Sequence, residues 1–252
     1  MKERFYPEEI TKDPIAPKVE HFHPVKDGRD RFGNRIFYSP ELAYDDRDGQ
    51  RTKAALLVSK EGEEFIKTNK GILKDIAQGL ATIETSGKVQ PERRADLSQG
   101  RTLDFITQGG QSRFYMLKVD GKKYAIKTHH TPRVELLDQP YINEMLQTQS
   151  MAVDLKEKLA ALKVRFSTFL FASGQVSCTL YEEGHRPDEN ASATLAALVD
   201  IAEEYTFERS EDPLWHNINI DGLDLSFSTD TDGRNFKQKP DGSLVWVDPF
   251  FV

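Results

Sequence analysis

Hydrophobic residues recur at helical spacing in one long stretch of the first third of the chain. Over residues 61–84 apolar residues recur at intervals of seven, four and three positions, and the stretch ends near Ser86 and Gly87. This spacing predicts one amphipathic helix, whose apolar face needs a partner surface in the next domain. The apolar positions are Phe65, Ile72, Ile76, Leu80 and Ile83.

Short apolar runs with turn residues between them follow a polar linker at residues 90–100. Residues 103–107, 113–119 and 123–127 predict three successive antiparallel strands. The turn before the second contains Gly109 and Gly110, and the turn before the third is Asp120-Gly121, a strong two-residue hairpin signal. Residues 166–172 and 176–181 predict a further hairpin, which makes five strands.

Two more helices are predicted around and after this hairpin. Asp138-Gln139-Pro140 places a capping acid and a proline at a helix start, in front of Glu144. The pattern that follows fits one helix or two, with Met145, Leu155, Leu159 and Leu162 as its apolar residues. A later helix is predicted with Asn190 as its cap. Its apolar face comprises Leu195, Leu198, Val199, Ala202 and Tyr205.

Composition narrows the class of protein. A formal charge of −7 and a pI of about 5.5 argue against a nucleic-acid partner held by bulk charge. No stretch has the roughly 18 apolar residues of a membrane span, and the N-terminus has no apolar leader region. The one cysteine, Cys178, lies in an apolar run and is expected to be buried and inert. We therefore expect a protein of the cytoplasm, either its producer's or that of a host cell.

Three polar residues at defined offsets are the most informative feature of the last quarter of the chain. Asn235 follows Asp230 by five positions, and Asp248 follows Asn235 by thirteen, with the turn Pro240-Asp241-Gly242 between them. Phosphoryl transfer needs such a set, because catalysis there consists of orienting a hydroxyl and holding Mg²⁺ beside the phosphates. One carboxylate orients the hydroxyl, while an amide and a second carboxylate bind the metal.

These residues, with the strand Tyr124-Ala125-Ile126-Lys127, resemble the motifs of protein kinases over residues 100–252. The resemblance implies that Asp230 is the catalytic acid and that Asn235 and Asp248 bind Mg²⁺. It also implies that Lys127 binds ATP phosphates and pairs with a glutamate on the following helix. Glu144 is that partner by its position, with Glu135 and Glu157 as competitors.

The same resemblance assigns the remaining nucleotide contacts. The turn with Gly109, Gly110 and Ser112 stands at the position of the glycine-rich loop, although the G-x-G-x-x-G pattern is absent. Glu182 begins the presumed hinge after the fifth strand, and it completes the predicted nucleotide site. The cofactors implied are ATP and Mg²⁺.

Several departures from that pattern make the chain similar to short phage-encoded kinases and divergent bacterial effector kinases. Ser228 stands where protein kinases have histidine, Thr231-Asp232 replaces Leu-Lys, and Asp248 is followed by Pro249. The chain ends four residues after Asp248. We therefore expect a reduced C-lobe without an activation segment, and substrate recognition by the first hundred residues.

The predicted fold is α+β, a two-lobed protein-kinase-like fold with a five-stranded antiparallel N-lobe sheet. Its parts are a charged arm, loosely structured to about residue 55, plus the amphipathic helix (1–95), the N-lobe (96–184) and the minimal C-lobe (185–252). The predicted activity is transfer of phosphate to a Ser/Thr hydroxyl of a protein substrate, which a host could supply. A protein-binding pseudokinase, a small-molecule phosphotransferase and AMP transfer remain alternatives.

Other polar residues imitate a catalytic site. His185-Arg186-Pro187-Asp188 looks like a catalytic loop but comes before any C-lobe helix and has no asparagine at the needed offset, so it is interpreted as a solvated connector. His216 is interpreted as structural or exposed, and Asp221 and Asp224 lack the matching offsets.

Overall fold

The structure is a computed structural model. It describes residues 29–30, 32–45, 51–84, 93–109, 112–129, 140–173, 176–204, 206–209, 215–220, 223–228 and 235–248. The chain divides into two compact units, a larger one within residues 6–143 and 168–181 and a smaller one within residues 144–167 and 182–252. In the described part of the chain, no helix is both long and apolar enough to cross a membrane.

The larger unit is built on one antiparallel sheet of eight strands in the order β1-β2-β8-β9-β6-β5-β4-β3. All five predicted strands lie in it, so the α+β class with a large antiparallel sheet is confirmed. The strands are β1 (Arg35–Asp45), β2 (Arg51–Val58), β3 (Arg94–Asp96), β4 (Thr102–Gln108), β5 (Ser112–Val119), β6 (Lys122–His129), β8 (Phe169–Ala172) and β9 (Val176–Leu180).

Two of the additional strands correct the prediction of a loosely structured arm before residue 55. β1 and β2 pair with each other, and β2 joins the sheet beside β8, where Leu57 pairs with Ala172. Leu56, Leu57 and Val58 are all buried although strand residues alternate between the two faces, so both faces of the sheet are covered here. The third additional strand, β3, lies in the predicted linker.

Two helices, α1 (Lys60–Thr68) and α2 (Ile72–Glu84), replace the single predicted helix of residues 61–84. The break falls at Asn69, whose backbone and side-chain N–H groups both donate to the Phe65 carbonyl, and at Gly71, whose φ of +78° favours glycine. The predicted apolar face is buried in a core with strand residues that include Leu103, Tyr115 and Ile126.

The smaller unit holds the helices α4 (Lys156–Ala161) and α5 (Ser192–Glu204) and most of α3 (Pro140–Asp154). The helix predicted after Asp138 is thus two helices. One three-stranded sheet consists of β7 (Val164–Phe166), β14 (Leu244–Trp246) and β13 (Phe236–Gln238). The other consists of β10 (Thr206–Arg209), β11 (Trp215–Ile220) and β12 (Leu223–Ser228).

The start of α5 differs from the prediction that Asn190 caps it. A 3-10 turn over Glu189–Ala191 comes first, and the Asp188 carboxylate accepts a hydrogen bond from the backbone N–H of Asn190. α5 itself begins at Ser192, and Leu195 and Leu198 are buried as predicted. The domain boundaries at residues 95 and 184 remain predictions.

Candidate functional site

Lys127 lies on β6, the third strand of the meander β4-β5-β6. Asp120 and Gly121 form the preceding hairpin turn with φ values of +49° and +75°, as a two-residue turn of this kind requires. Lys127 pairs with Phe114, so both side chains project from the same face of the sheet. The neighbouring pair, Tyr115 and Ile126, points to the opposite face, where it is buried in the core with α1 and α2.

The turn between β4 and β5 is closed by a backbone hydrogen bond from Gly109 N–H to the Ser112 carbonyl, 2.8 Å long. Ser112 is buried, and Gly110 lies outside the described residues. A Cβ on Gly109 would have its nearest neighbour at 3.7 Å, which is an ordinary contact. Packing against the described residues therefore does not require glycine at this position.

The helix that follows β6 carries the predicted partner of the lysine. Glu144 lies one turn into α3 and is 3% exposed, and its backbone carbonyl accepts a hydrogen bond from the Thr148 hydroxyl. Tyr141, three residues earlier, is 1% exposed. Residues three apart share a helix face, so Tyr141 and Glu144 project on the same side of α3.

Glu182 follows β9 and lies in an ion-pair network in the smaller unit. Its carboxylate accepts two 2.9 Å hydrogen bonds from Arg165 and pairs with the Lys239 ammonium at 2.9 Å. Burial raises the pKa of Glu182, but the bonds from Arg165 and Lys239 outweigh it and hold the pKa below its ordinary value. The side chain is therefore used in holding β7 and the β13–β14 hairpin to the segment after β9. Its predicted part in nucleotide binding remains a prediction.

The hairpin β13–β14 brings the two predicted metal ligands to one end of a small sheet. Phe236 pairs with Trp246, and beyond that pair the Val247 N–H donates to the Asn235 carbonyl at 2.8 Å. Asn235 and Asp248 therefore emerge at the same, open end of the hairpin, and both are half-buried.

The closed end of this hairpin has the turn that the sequence predicts. Gly242 has a φ of +80°, and the Asp241 carboxylate accepts hydrogen bonds from the backbone and the hydroxyl of Ser243. Next to the sheet, the Trp246 ring stacks on Phe166 at 5.4 Å and on Phe236 at 5.0 Å between centroids. This aromatic stack packs the two strands that Asn235 and Asp248 flank against β7.

Asp230, the predicted catalytic acid, lies outside the described residues. Within the described ranges no group of three or more His, Cys, Asp or Glu side chains could hold a metal ion. The residues present nevertheless fit Mg²⁺, because this ion usually takes one or two carboxylates from the protein and fills the remaining positions with water and phosphate oxygens. Asn235 and Asp248 supply an amide and a carboxylate oxygen.

Residues 185–188, whose sequence imitates a catalytic loop, form a connector in the structure. His185 and Gln238 exchange two backbone hydrogen bonds, and the Asp188 carboxylate accepts the Asn190 N–H. His216 lies in β11 and Asp224 in β12, where the structure describes the backbone alone. Cys178 is fully buried, and burial raises the pKa of its thiol.

Sequence reasoning did not single out Tyr141. Its signal is the three-residue spacing to Glu144 in a first turn that begins with Pro140. The same spacing is typical of an ordinary core aromatic, so the sequence does not distinguish the two interpretations.

Comparison with known proteins adds little to this site. No protein family and no curated protein matches the chain. Among solved structures there is a weak match to the aminoglycoside phosphotransferase APH(2'')-IIa in a ternary complex with streptomycin and ATP. The match has a TM-score of 0.21 and 14% identity and covers 43% of this chain and 36% of that one. The likeness is too slight to assign a fold or an activity.

Proposed function

We propose that the chain is a minimal kinase-like phosphotransferase that uses ATP and Mg²⁺ to phosphorylate a Ser/Thr hydroxyl of a protein substrate. One observation carries the proposal, namely the structural context of Lys127. The lysine lies on the third antiparallel strand after a glycine turn, and the helix that follows presents a buried glutamate, Glu144. A short lysine motif can be interpreted as that of a kinase only when it lies in this structural context.

The roles of the residues follow from their chemistry. Lys127 binds the phosphates of ATP as a positive point charge. The turn of Gly109 and Gly110 precedes Lys127 in the meander, and its backbone N–H groups are the second set of phosphate donors in this proposal. Asn235 and Asp248 would hold Mg²⁺, which when bound would supply positive charge beside the transferred phosphoryl group. Asp230 orients the acceptor hydroxyl.

Incubation of the full chain with Mg²⁺ and ATP labelled at the γ- or the α-phosphate, with and without cell lysate, tests this function. Lys127→Ala and Asp248→Ala should each lower γ-label transfer by about a hundredfold or more, as loss of a group that stabilises developing charge does. Lys123→Ala and Asp241→Ala are the matched controls, since these residues lie on the same strand and the same hairpin without a predicted role.

The outcomes separate the alternatives. Label that arrives from the α-phosphate indicates AMP transfer, and label found in a small molecule of the lysate indicates a small-molecule acceptor. Absence of transfer, together with a lysate protein bound equally by both variants, would favour a pseudokinase and contradict the proposal.

A further inference from the structure

Two aromatic rings lie against the Lys127 ammonium. Its Nζ atom is 5.8 Å from the centroid of Phe114 and 5.5 Å from the centroid of Tyr141. Both distances are inside the range of about 6 Å in which a ring face attracts a cation. The rings come from different elements, β5 and α3, so this contact joins the start of the helix to the strand that carries the lysine.

The register of the sheet explains why these groups meet. Phe114 pairs with Lys127, and Ser112 lies two residues before Phe114, so all three project from one face. The Tyr141 hydroxyl lies 3.4 Å from Ser112 Oγ, a long hydrogen bond between buried groups. Tyr141 therefore contacts the lysine through its ring and the glycine-turn strand through its hydroxyl.

A core aromatic that only fills space does not account for both contacts. Tyr141 is 1% exposed, yet its neighbours here are an ammonium and a hydroxyl as well as apolar groups. Burying a polar hydroxyl is unfavourable unless it has a partner, and Ser112 provides one. A second lysine on the same strand offers a comparison, because Lys123 Nζ is 5.9 Å from the ring of the half-buried Tyr181.

We infer that Tyr141 is a positioning residue for Lys127. Its ring holds the Lys127 ammonium, and its hydroxyl ties the Tyr141 side chain to Ser112 at the end of the glycine turn. The inference deepens the proposed function, and it rests on that function only for the role of Lys127 in binding ATP phosphates. The position of the Lys127 ammonium then depends on the first turn of α3, because displacement of that turn would withdraw the Tyr141 ring from the lysine.

Competitive acetylation of the full-length protein without nucleotide tests this inference. Acetic anhydride is added at low dose, and modification of each lysine is followed by mass spectrometry. Tyr141→Leu should raise the acetylation rate of Lys127 about threefold to fivefold, because the ring that shields and stabilises the ammonium is lost. Tyr141→Phe should leave that rate within about twofold, since it keeps the ring.

Tyr181→Leu is the matched control. It should raise the rate at Lys123 and leave Lys127 unchanged, whereas a general loosening of the sheet would raise both. An unchanged Lys127 rate in Tyr141→Leu, with the circular dichroism spectrum of the wild type, would overturn the inference. If Tyr141→Leu fails to fold, Tyr141→Met removes the same ring and fills its space with a flexible apolar side chain, and an unchanged Lys127 rate there has the same meaning.

A second series with Mg²⁺ and ATP keeps the two proposals apart. Protection of Lys127 by ATP supports the proposed function. Absence of protection, together with the threefold to fivefold rise in Tyr141→Leu, would contradict the nucleotide site and leave the positioning role of Tyr141 standing.

Discussion

The larger and the smaller unit support their predicted site residues in different ways. In the larger unit Lys127 stands near the middle of an eight-stranded sheet, and two helices cover the opposite face with a continuous apolar core. In the smaller unit Asn235 and Asp248 flank a hairpin whose strands have three residues each. An aromatic stack, a second apolar core shared with the helices of that unit, and one ion-pair network hold that hairpin. Among the described residues the core of the smaller unit has fewer buried members, and a broad core tolerates the loss of one contact better than a narrow one, so the hairpin with Asn235 and Asp248 is the more fragile of the two supports.

Removal of the Trp246 ring should have the largest effect. Trp246→Ala deletes the centre of the stack between Phe166 and Phe236, and it should lower the free energy of unfolding by about 4 kcal/mol. Hydrogen exchange should show the loss first in the amides of β13 and β14. Trp246→Phe keeps a ring and serves as the control. A loss below about 1 kcal/mol would show that the small sheet does not depend on the stack.

The larger unit contains a buried ion pair between α2 and the start of β4, and loss of one partner should destabilise this unit. The Arg101 guanidinium donates to the Asp75 carboxylate at 2.7 Å, and the Ser98 hydroxyl donates to the same carboxylate. Asp75→Ala should cost about 3 kcal/mol, because it leaves a guanidinium buried without its counter-charge. Asp96→Ala removes an exposed carboxylate and should change stability by less than about 0.5 kcal/mol in urea unfolding. Equal effects of the two would contradict this account.

The ion-pair network of Glu182 should give the smaller unit a dependence on pH. Because the pKa of Glu182 is lowered in the folded protein, its contribution is complete above the ordinary pKa of about 4.5 and is lost as the pH falls from there through the lowered pKa. Glu182→Gln should cost about 2 kcal/mol at pH 7 and much less at low pH. Thermal unfolding of both proteins between pH 3 and pH 7 measures this. Parallel curves would exclude the network as the cause.

The smallest effect is expected at the first cap of the larger unit. The Ser59 hydroxyl accepts the Gly62 N–H at 3.0 Å and donates to the Phe169 carbonyl at 2.8 Å. Ser59→Ala should therefore lower stability by about 1 kcal/mol. Thr68→Ala, an exposed position near the end of α1, is the control and should stay within about 0.5 kcal/mol. If both variants unfold at the same urea concentration, the cap contributes nothing.

Much of the larger unit could be predicted from local patterns, because hairpins and amphipathic helices are encoded by neighbouring residues. Asp120-Gly121 predicts the β5–β6 hairpin of the larger unit. In the smaller unit, Pro240-Asp241-Gly242 predicts the hairpin that brings Asn235 and Asp248 to one end. β2 escaped prediction because Leu56, Leu57 and Val58 form a continuous apolar run without the alternation of a half-exposed strand. The helix break at Gly71 was missed because the apolar period continues across it. Tyr141 depends on a contact between α3 and β5, which no local spacing reveals.

The parallel pairing of β7 with β14 has a consequence for the order of assembly. Val164 pairs with Leu244, eighty positions later, so the small sheet lacks its central strand until nearly all of the described chain has been synthesised. At about 5–20 residues per second, the ribosome needs roughly 4–16 s to bridge that separation. When this interval begins, the larger unit lacks only strands β8 and β9, which follow β7 within twenty residues. The nascent chain would thus have every strand of the lysine-bearing sheet early in this interval, while β7 still waits several seconds for its partner, and chaperones would meet an exposed strand edge at β7.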